Sequence, residues 1–105
     1  MKIMLACAFG MSTSILVKRM QDAAKNEGKD YKIWAVDVDS IEDERGYDVI
    51  LVGPQVKNRI SEIKGIIEND DIPVEAIENS IYGKCDGAAV LQFAENLVKG
   101  EKNYE

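Results

Sequence analysis

The chain has 105 residues, of which 46% are apolar and 30% are charged, and its formal net charge is −6. This length suits one domain with one core, and the negative charge argues against nonspecific nucleic-acid binding, which requires a basic surface. The sequence has no histidine and two cysteines, which excludes a phosphohistidine, a histidine-containing zinc site and a four-cysteine zinc site. We predict that the protein uses no metal and no cofactor.

The first predicted strand and the first predicted helix are joined by a short loop of small residues. Ile3–Ala6 form an unbroken apolar run, which is typical of a strand covered on both faces. Cys7 follows this run. A helical pattern then predicts a helix over Thr13–Glu27, capped by Ser12 and ended by Gly28. A thiol therefore stands where the strand passes into the loop.

The rest of the chain continues to alternate strands with helices. In order, the pattern predicts a strand at 32–38, a short acidic helical turn at 41–44, a strand at 48–52, a helix that starts at 54 and is broken at 69–71, a strand at 73–77, a loop at 80–85 and a helix that starts at 86 or 87. This alternation predicts an α/β fold with a parallel sheet and helices on both faces. Residues 1–100 are predicted to form a single domain, and 101–105 a frayed tail.

The loop after the first strand combines an anion-binding site with a nucleophile. The first N–H groups of a helix have no partner within the helix, and together with the helix dipole they favour phosphate. Gly10 allows close approach of the backbone, and the hydroxyl residues that follow add donors. The same field favours a thiolate at Cys7, which suggests a covalent phosphocysteine. A buried structural cysteine would occupy the same place, so this position alone does not decide between the two interpretations.

Two other loops are predicted to meet the Cys7 loop, because ligands of parallel sheets lie beyond the carboxyl ends of the strands. These are Gly53–Gln55, after the third strand, and Ser80–Cys85, after the fourth. Tyr82 could donate to a phosphate and Lys84 could supply positive charge, whereas Cys85 is predicted to be a bystander. The residues predicted to bind phosphate, mainly through backbone N–H groups, are Ala8, Phe9, Gly10, Met11, Ser12, Thr13, Ser14 and Tyr82.

The segment Cys-Ala-Phe-Gly-Met-Ser-Thr-Ser at 7–14 resembles the loop Cys-Ser-Ala-Gly-Met-Ser-Thr-Ser of one protein family. These are the IIB components of the bacterial phosphoenolpyruvate-dependent sugar phosphotransferase system, of the lactose/cellobiose/chitobiose type. Gly53-Pro54-Gln55 and Tyr82-Gly83-Lys84 are similar to two further signatures, and the resemblance covers nearly the whole chain. It implies a four-stranded parallel open sheet of order 2-1-3-4 and a phosphocysteine at Cys7. The chain departs from the loop at Ala8 and Phe9, where the family often has Ser and Ala.

The resemblance also implies the partners and the reaction. The phosphoryl group would arrive from a phosphohistidine of the IIA component and leave to a sugar of the beta-glucoside or disaccharide type, bound by the membrane IIC component. The chain would then be a phosphotransferase located in the cytoplasm, peripheral to the inner face of the membrane through IIC. The two distant cysteines suggest a reducing compartment, and no apolar stretch approaches a membrane span.

Three alternatives share part of this pattern. A low-molecular-weight tyrosine phosphatase also places a cysteine between strand and helix, but it requires an arginine six residues later, where this chain has Thr13. A flavodoxin-like carrier of flavin mononucleotide usually has five strands and stacking aromatic rings, for which only Trp34 and Tyr82 are candidates. An interaction domain with an inert loop is the third.

Overall fold

Four parallel strands form the sheet in the computed structural model, which describes residues 1–8, 11–68 and 71–100, with the backbone only for residues 11 and 12. The sheet has the order β2-β1-β3-β4, which confirms the predicted topology. The strands are β1 (Lys2–Cys7), β2 (Lys32–Asp37), β3 (Val49–Val52) and β4 (Val74–Ala76). Residues 69 and 70 of the predicted helix break at 69–71, and the predicted tail at 101–105, lie outside the described residues.

Helices cover both faces of the sheet, as predicted. The α-helices are α1 (Met11–Asn26), α2 (Ile60–Ile67), α3 (Asn79–Gly83) and α4 (Gly87–Val98), and 3-10 helices span Val38–Asp43 and Pro54–Arg59. Because side chains alternate along a strand, Ile3 and Leu5 of β1 join the apolar layer under α1 and α4, while Met4 and Ala6 join the layer under α2. Within the described residues, no helix is both long enough and apolar enough to span a membrane.

The first helix begins earlier than predicted and ends where predicted. It starts at Met11, so Ser12 lies inside the helix and is not its cap. At the other end, Gly28 has a φ of +71°, and the amide of Lys29 donates to the carbonyl of Ala24 at 2.9 Å. Glycine adopts this left-handed conformation without steric cost, and the helix therefore stops there.

Two predictions of local structure after β3 are wrong. The segment predicted as a loop at 80–85 is largely helical, because the amide of Tyr82 donates to the carbonyl of Glu78 at 2.9 Å and closes the turn of α3. The helix predicted from Pro54 is divided, because Val56 has φ −123° and ψ 23° and interrupts it before α2. A regular apolar spacing continues through this kink, so the sequence pattern does not reveal it.

A buried carboxylate ties α4 to the start of β2, at the amino-terminal edge of the sheet. Glu95, only 6% exposed, accepts hydrogen bonds from the ammonium of Lys29 and, at 2.7 Å, from the hydroxyl of Tyr31. Burial alone would raise the pKa of Glu95, but these two hydrogen bonds outweigh it and hold the pKa below its ordinary value. The cluster lies at the opposite end of the strands from Cys7, and we assign it a structural role.

Candidate functional site

Cys7 is the last residue of the central strand and lies at the carboxyl edge of the sheet. It is paired in register with Asp37 of β2. On its other side, the amide of Gly53 donates to the carbonyl of Ala6 at 2.9 Å. The next strand in the sequence, β2, pairs with one side of β1, and the strand after it, β3, pairs with the other side. Cys7 therefore lies at the point where the strand order reverses. Ligands of open parallel sheets bind at such a switch point.

The sulfur of Cys7 is turned toward the edge strand. Cys7 is 2% exposed, and its Sγ lies 3.8 Å from the carbonyl oxygen of Val36, to which the thiol donates a long hydrogen bond. Cys7 and the half-buried Cys85 are both free thiols. The candidate nucleophile is therefore shielded from solvent in this structure.

This shielding predicts the order in which the two cysteines react. With a bulky aromatic disulfide reagent, we expect Cys85 to be modified at least about tenfold faster than Cys7, because the reagent cannot reach a sulfur that is buried. Mass spectrometry of peptides from samples quenched over time measures both rates in one protein. Faster modification of Cys7 would show that the sulfur is accessible without any rearrangement.

The first turn of α1 faces the same edge and is connected to α3. Thr13 is 1% exposed, and its Oγ1 lies 3.0 Å from the hydroxyl oxygen of Tyr82, with either group able to donate. The half-buried ring of Tyr82 packs against the apolar layer under α1 and α4. The predicted meeting of the Cys7 loop with the segment after β4 is therefore present, and this pair of hydroxyls joins them.

Of the other residues predicted to bind phosphate, the structure describes the side chains of only Ala8 and Ser14. Ala8 is half-buried and packs against the layer under α2, while Ser14 is exposed on α1. Phe9 and Gly10 lie outside the described residues, and the side chains of Met11 and Ser12 are likewise not described.

The side chain of Lys84 is exposed, whereas its backbone is engaged by α1. The carbonyls of Lys84 and Cys85 each accept from the guanidinium of Arg19 at 3.4 Å. Cys85 itself has a φ of +50°, a left-handed conformation that is uncommon outside glycine. These contacts hold the junction between α3 and α4 against α1.

Gln55 was not among the predicted site residues, although it belongs to the Gly-Pro-Gln signature. A Cβ placed on Gly53 would lie 2.9 Å from Oε1 of Gln55 and 3.6 Å from Cβ of Cys7. The carboxamide of Gln55 therefore covers the open side of Gly53, next to the cysteine. The signature pointed to this loop, but the orientation of the side chain was visible only in the structure.

Fold and site together define a class: a small α/β protein with a cysteine at the carboxyl end of a central parallel strand, followed by a helix N-terminus. The family model for the lactose/cellobiose-specific IIB subunit of the phosphotransferase system (PTS) matches residues 2–93. The chain belongs to this family. It is thus a IIB component and a phosphotransferase of sugar uptake, and the phosphatase, flavin-carrier and inert-domain alternatives are set aside.

Curated relatives match along almost their whole length. The oligo-beta-mannoside-specific EIIB component of Bacillus subtilis is 41% identical over 98 residues, which cover 92% of this chain and 95% of the relative. The cellobiose-specific and galactose-specific EIIB components of Lactococcus lactis are each 44% identical over 102 residues, covering 91% of this chain and 94% of each relative.

Solved structures show the same fold. The cellobiose-specific IIB component of Borrelia burgdorferi superposes with a TM-score of 0.77 at 33% identity, covering 98% of this chain and 95% of that one. The lactose-specific IIB domain of Streptococcus pneumoniae superposes with a TM-score of 0.80 at 22% identity, covering 91% of this chain and 95% of that one.

Proposed function

We propose that Cys7 carries the phosphoryl group as a phosphocysteine, receives it from a phosphohistidine of IIA and passes it to a sugar bound by the membrane component IIC. The observation that carries this proposal is the position of Cys7. It ends the central strand β1 at the switch in strand order, and α1 begins at Met11, only a few residues later. A nucleophile and a helix N-terminus thus share one edge of the sheet.

The phosphoryl oxygens bind mainly to backbone N–H groups of residues 8–14. The first N–H groups of α1 lack partners within the helix, and the helix dipole favours the added negative charge. This local arrangement matters because the whole chain has a net charge of −6 and does not attract phosphate by its overall field. In the phosphorylated protein the hydroxyl of Tyr82 donates to a phosphoryl oxygen and accepts from Oγ1 of Thr13, which is one of the two directions that their 3.0 Å separation allows.

Each transfer step exchanges one bond to phosphorus for another. The thiol of Cys7 loses its proton to solvent, and the sulfur turns from Val36 toward the N-terminus of α1. Its electron pair forms the S–P bond while the P–N bond of the phosphohistidine breaks, and the departing imidazole nitrogen keeps that electron pair. In the second step a sugar hydroxyl attacks phosphorus, the S–P electron pair returns to sulfur, and the hydroxyl proton passes to a base that we place in IIC.

The protein contributes positioning and charge stabilisation to these steps. Phosphoryl transfer requires in-line geometry and donors around the equatorial oxygens, and few further groups. Backbone N–H groups meet this requirement both when the phosphoryl group is bound to sulfur and while it is being transferred. Backbone N–H groups do not act as an acid or a base that would activate water for hydrolysis. The phosphocysteine therefore persists long enough to reach the second partner.

The relatives indicate the class of sugar. Two are named for cellobiose and oligo-beta-mannoside, and the third for galactose. Among these names, cellobiose supports a sugar of the beta-glucoside or disaccharide type. Binding to IIC would hold the protein in the cytoplasm at the inner face of the membrane. The sugar-binding pocket itself belongs to IIC, and this chain reaches the sugar only through that partner.

Intact mass spectrometry after incubation with phosphorylated IIA tests the proposal. We expect the chain to gain the mass of one phosphoryl group, stable under conditions that cleave phosphohistidine selectively, and we expect peptide fragmentation to place it on Cys7. Addition of excess unphosphorylated IIA should remove the group, because the transfer is reversible. Phosphate on Cys85, or on an aspartate, serine or threonine, would contradict the assignment.

A further inference from the structure

The turn after β3 places a carboxamide next to Cys7. The amide of Gly53 is bonded to the carbonyl of Ala6, which directly precedes the cysteine. On Gly53, a Cβ would lie 3.6 Å from Cβ of Cys7 and 2.9 Å from Oε1 of Gln55. The carboxamide oxygen of Gln55 and Cβ of Cys7 therefore both lie within 3.6 Å of the point that a Cβ at position 53 would occupy.

The backbone that carries Gln55 is held on both sides. The amide of Val56 donates to the carbonyl of Gly53 at 3.0 Å, and the side chain of Val56 is 7% exposed within the layer under α2. At the end of the same 3-10 helix, the guanidinium of Arg59 contacts Asp39 at 2.9 Å and Glu62 at 2.7 Å. The side chain of Gln55 is exposed, so it can move while its backbone stays in place.

The glycine is explained by this space and not by its backbone conformation. Gly53 has φ −60° and ψ 143°, which any L-residue adopts. What glycine provides here is an open side between the carboxamide of Gln55 and Cβ of Cys7.

We infer that Gln55 is a further phosphoryl-binding residue, which donates a hydrogen bond from Nε2 to an oxygen of the phosphoryl group on Cys7. The inference rests on the proposed function. In the unphosphorylated protein Oε1 lies over Gly53, and rotation about the last bond of the side chain brings Nε2 to the same place. The amide nitrogen carries two N–H donors and no charge.

A neutral amide suits a carrier better than a charged or basic side chain. A guanidinium would bind the phosphoryl group more strongly, through two parallel hydrogen bonds, and would hinder its onward transfer. A carboxylate or an imidazole in this place would accept a proton from water and promote hydrolysis. The carboxamide holds the group and leaves it transferable.

The phosphorylation equilibrium with IIA measures this contact. Purified chain and IIA are mixed with a limiting amount of phosphorylated IIA, and the phosphorylated fraction of each is read by intact mass. Gln55→Met keeps the length of the side chain but removes the donor, and we expect the equilibrium to shift about tenfold toward IIA, as for loss of one hydrogen bond to a charged group. The ³¹P chemical shift of the phosphocysteine should also change.

A second variant removes the contact without altering Gln55. In Gly53→Ala the new methyl group meets Oε1 of Gln55 at 2.9 Å, while its contacts with Cys7 Cβ and with the carbonyl of Ala6 are ordinary, at 3.6 Å. We expect it to fold, to displace the carboxamide and to shift the equilibrium in the same direction. The double variant should shift it no further than the larger single effect, since both remove one interaction. Gln92→Met on α4, an equally exposed glutamine, is the control and should leave the equilibrium unchanged.

The outcomes separate this inference from the proposed function. If wild-type chain is phosphorylated on Cys7 and Gln55→Met reaches the same equilibrium with the same ³¹P shift, the role of Gln55 is disproved and the phosphocysteine stands. Additive effects in the double variant would also overturn the inference, because Gly53→Ala would then act on Cys7 directly. If wild-type Cys7 is not phosphorylated at all, the proposed function itself fails.

Discussion

Replacing Cys7 with serine should abolish phosphoryl transfer from IIA, lowering its rate by at least about 10³-fold, a loss typical of removing a catalytic nucleophile. A serine hydroxyl is far less ionised than a thiol at neutral pH and is therefore a much weaker nucleophile. The substitution is nearly isosteric, and it places no added atom in the buried strand end, so we expect the fold to be kept. The loss would therefore reflect chemistry and not folding. Rapid-quench mass spectrometry with phosphorylated IIA measures the rate.

Cys85→Ser is the matched control, because it makes the same change of sulfur to oxygen on the other free cysteine. Cys85 lies at the junction of α3 and α4, and the contacts that hold this junction come from its backbone carbonyl and not from its thiol. Transfer to this variant should proceed at the wild-type rate. A Cys7→Ser variant that still accepted phosphate at a comparable rate would rule out the phosphocysteine.

Replacing Gly87 with alanine should destabilise the protein by about 2–3 kcal/mol, the upper part of the range for overpacking. A Cβ on Gly87 would lie 2.5 Å from the carbonyl carbon of Arg19 and 2.6 Å from the amide nitrogen of Met20. Both are backbone atoms of α1 and cannot turn aside as a side chain would, so α1 and α4 must separate. At this chain length the expected loss is roughly 10–20 °C in Tm. Urea unfolding followed by circular dichroism measures the free energy.

Gly65→Ala provides the opposite result from the same substitution. Gly65 is exposed within α2, and nothing lies within 4 Å of a Cβ placed there. We expect a gain of about 0.5–1 kcal/mol, because alanine loses less conformational entropy than glycine on entering a helix. If the two variants changed stability equally, close packing of α1 against α4 at Gly87 would not be the cause.

Since α1 also carries the first turn of the site, Gly87→Ala should lower the phosphorylated fraction as well.

The order of residues along the chain is enough to predict the class of fold and the position of the candidate nucleophile. Apolar runs at Ile3–Ala6 and Val49–Val52 predict buried strands, because only a strand covered on both faces tolerates such runs. Their alternation with helices requires a parallel sheet, and a parallel sheet brings the carboxyl ends of its strands to one edge. Cys7 and the loop after it could therefore be assigned to that edge from residue order alone. The motif in this loop then pointed to the family.

The side-chain contacts around Cys7 could not be predicted in this way. Thr13 pairs with Tyr82 and the Cys7 thiol turns toward Val36, and both contacts join residues of different elements. The carboxamide of Gln55 lies over Gly53 within a single turn, but next to Cys7 of another element. Such contacts depend on side-chain rotamers and on the distances between packed elements, which no local pattern encodes. The helical form of α3 and the kink at Val56 were also not predicted. The spacing of apolar residues indicates which side of a segment is buried, but it does not indicate which hydrogen bonds the backbone makes.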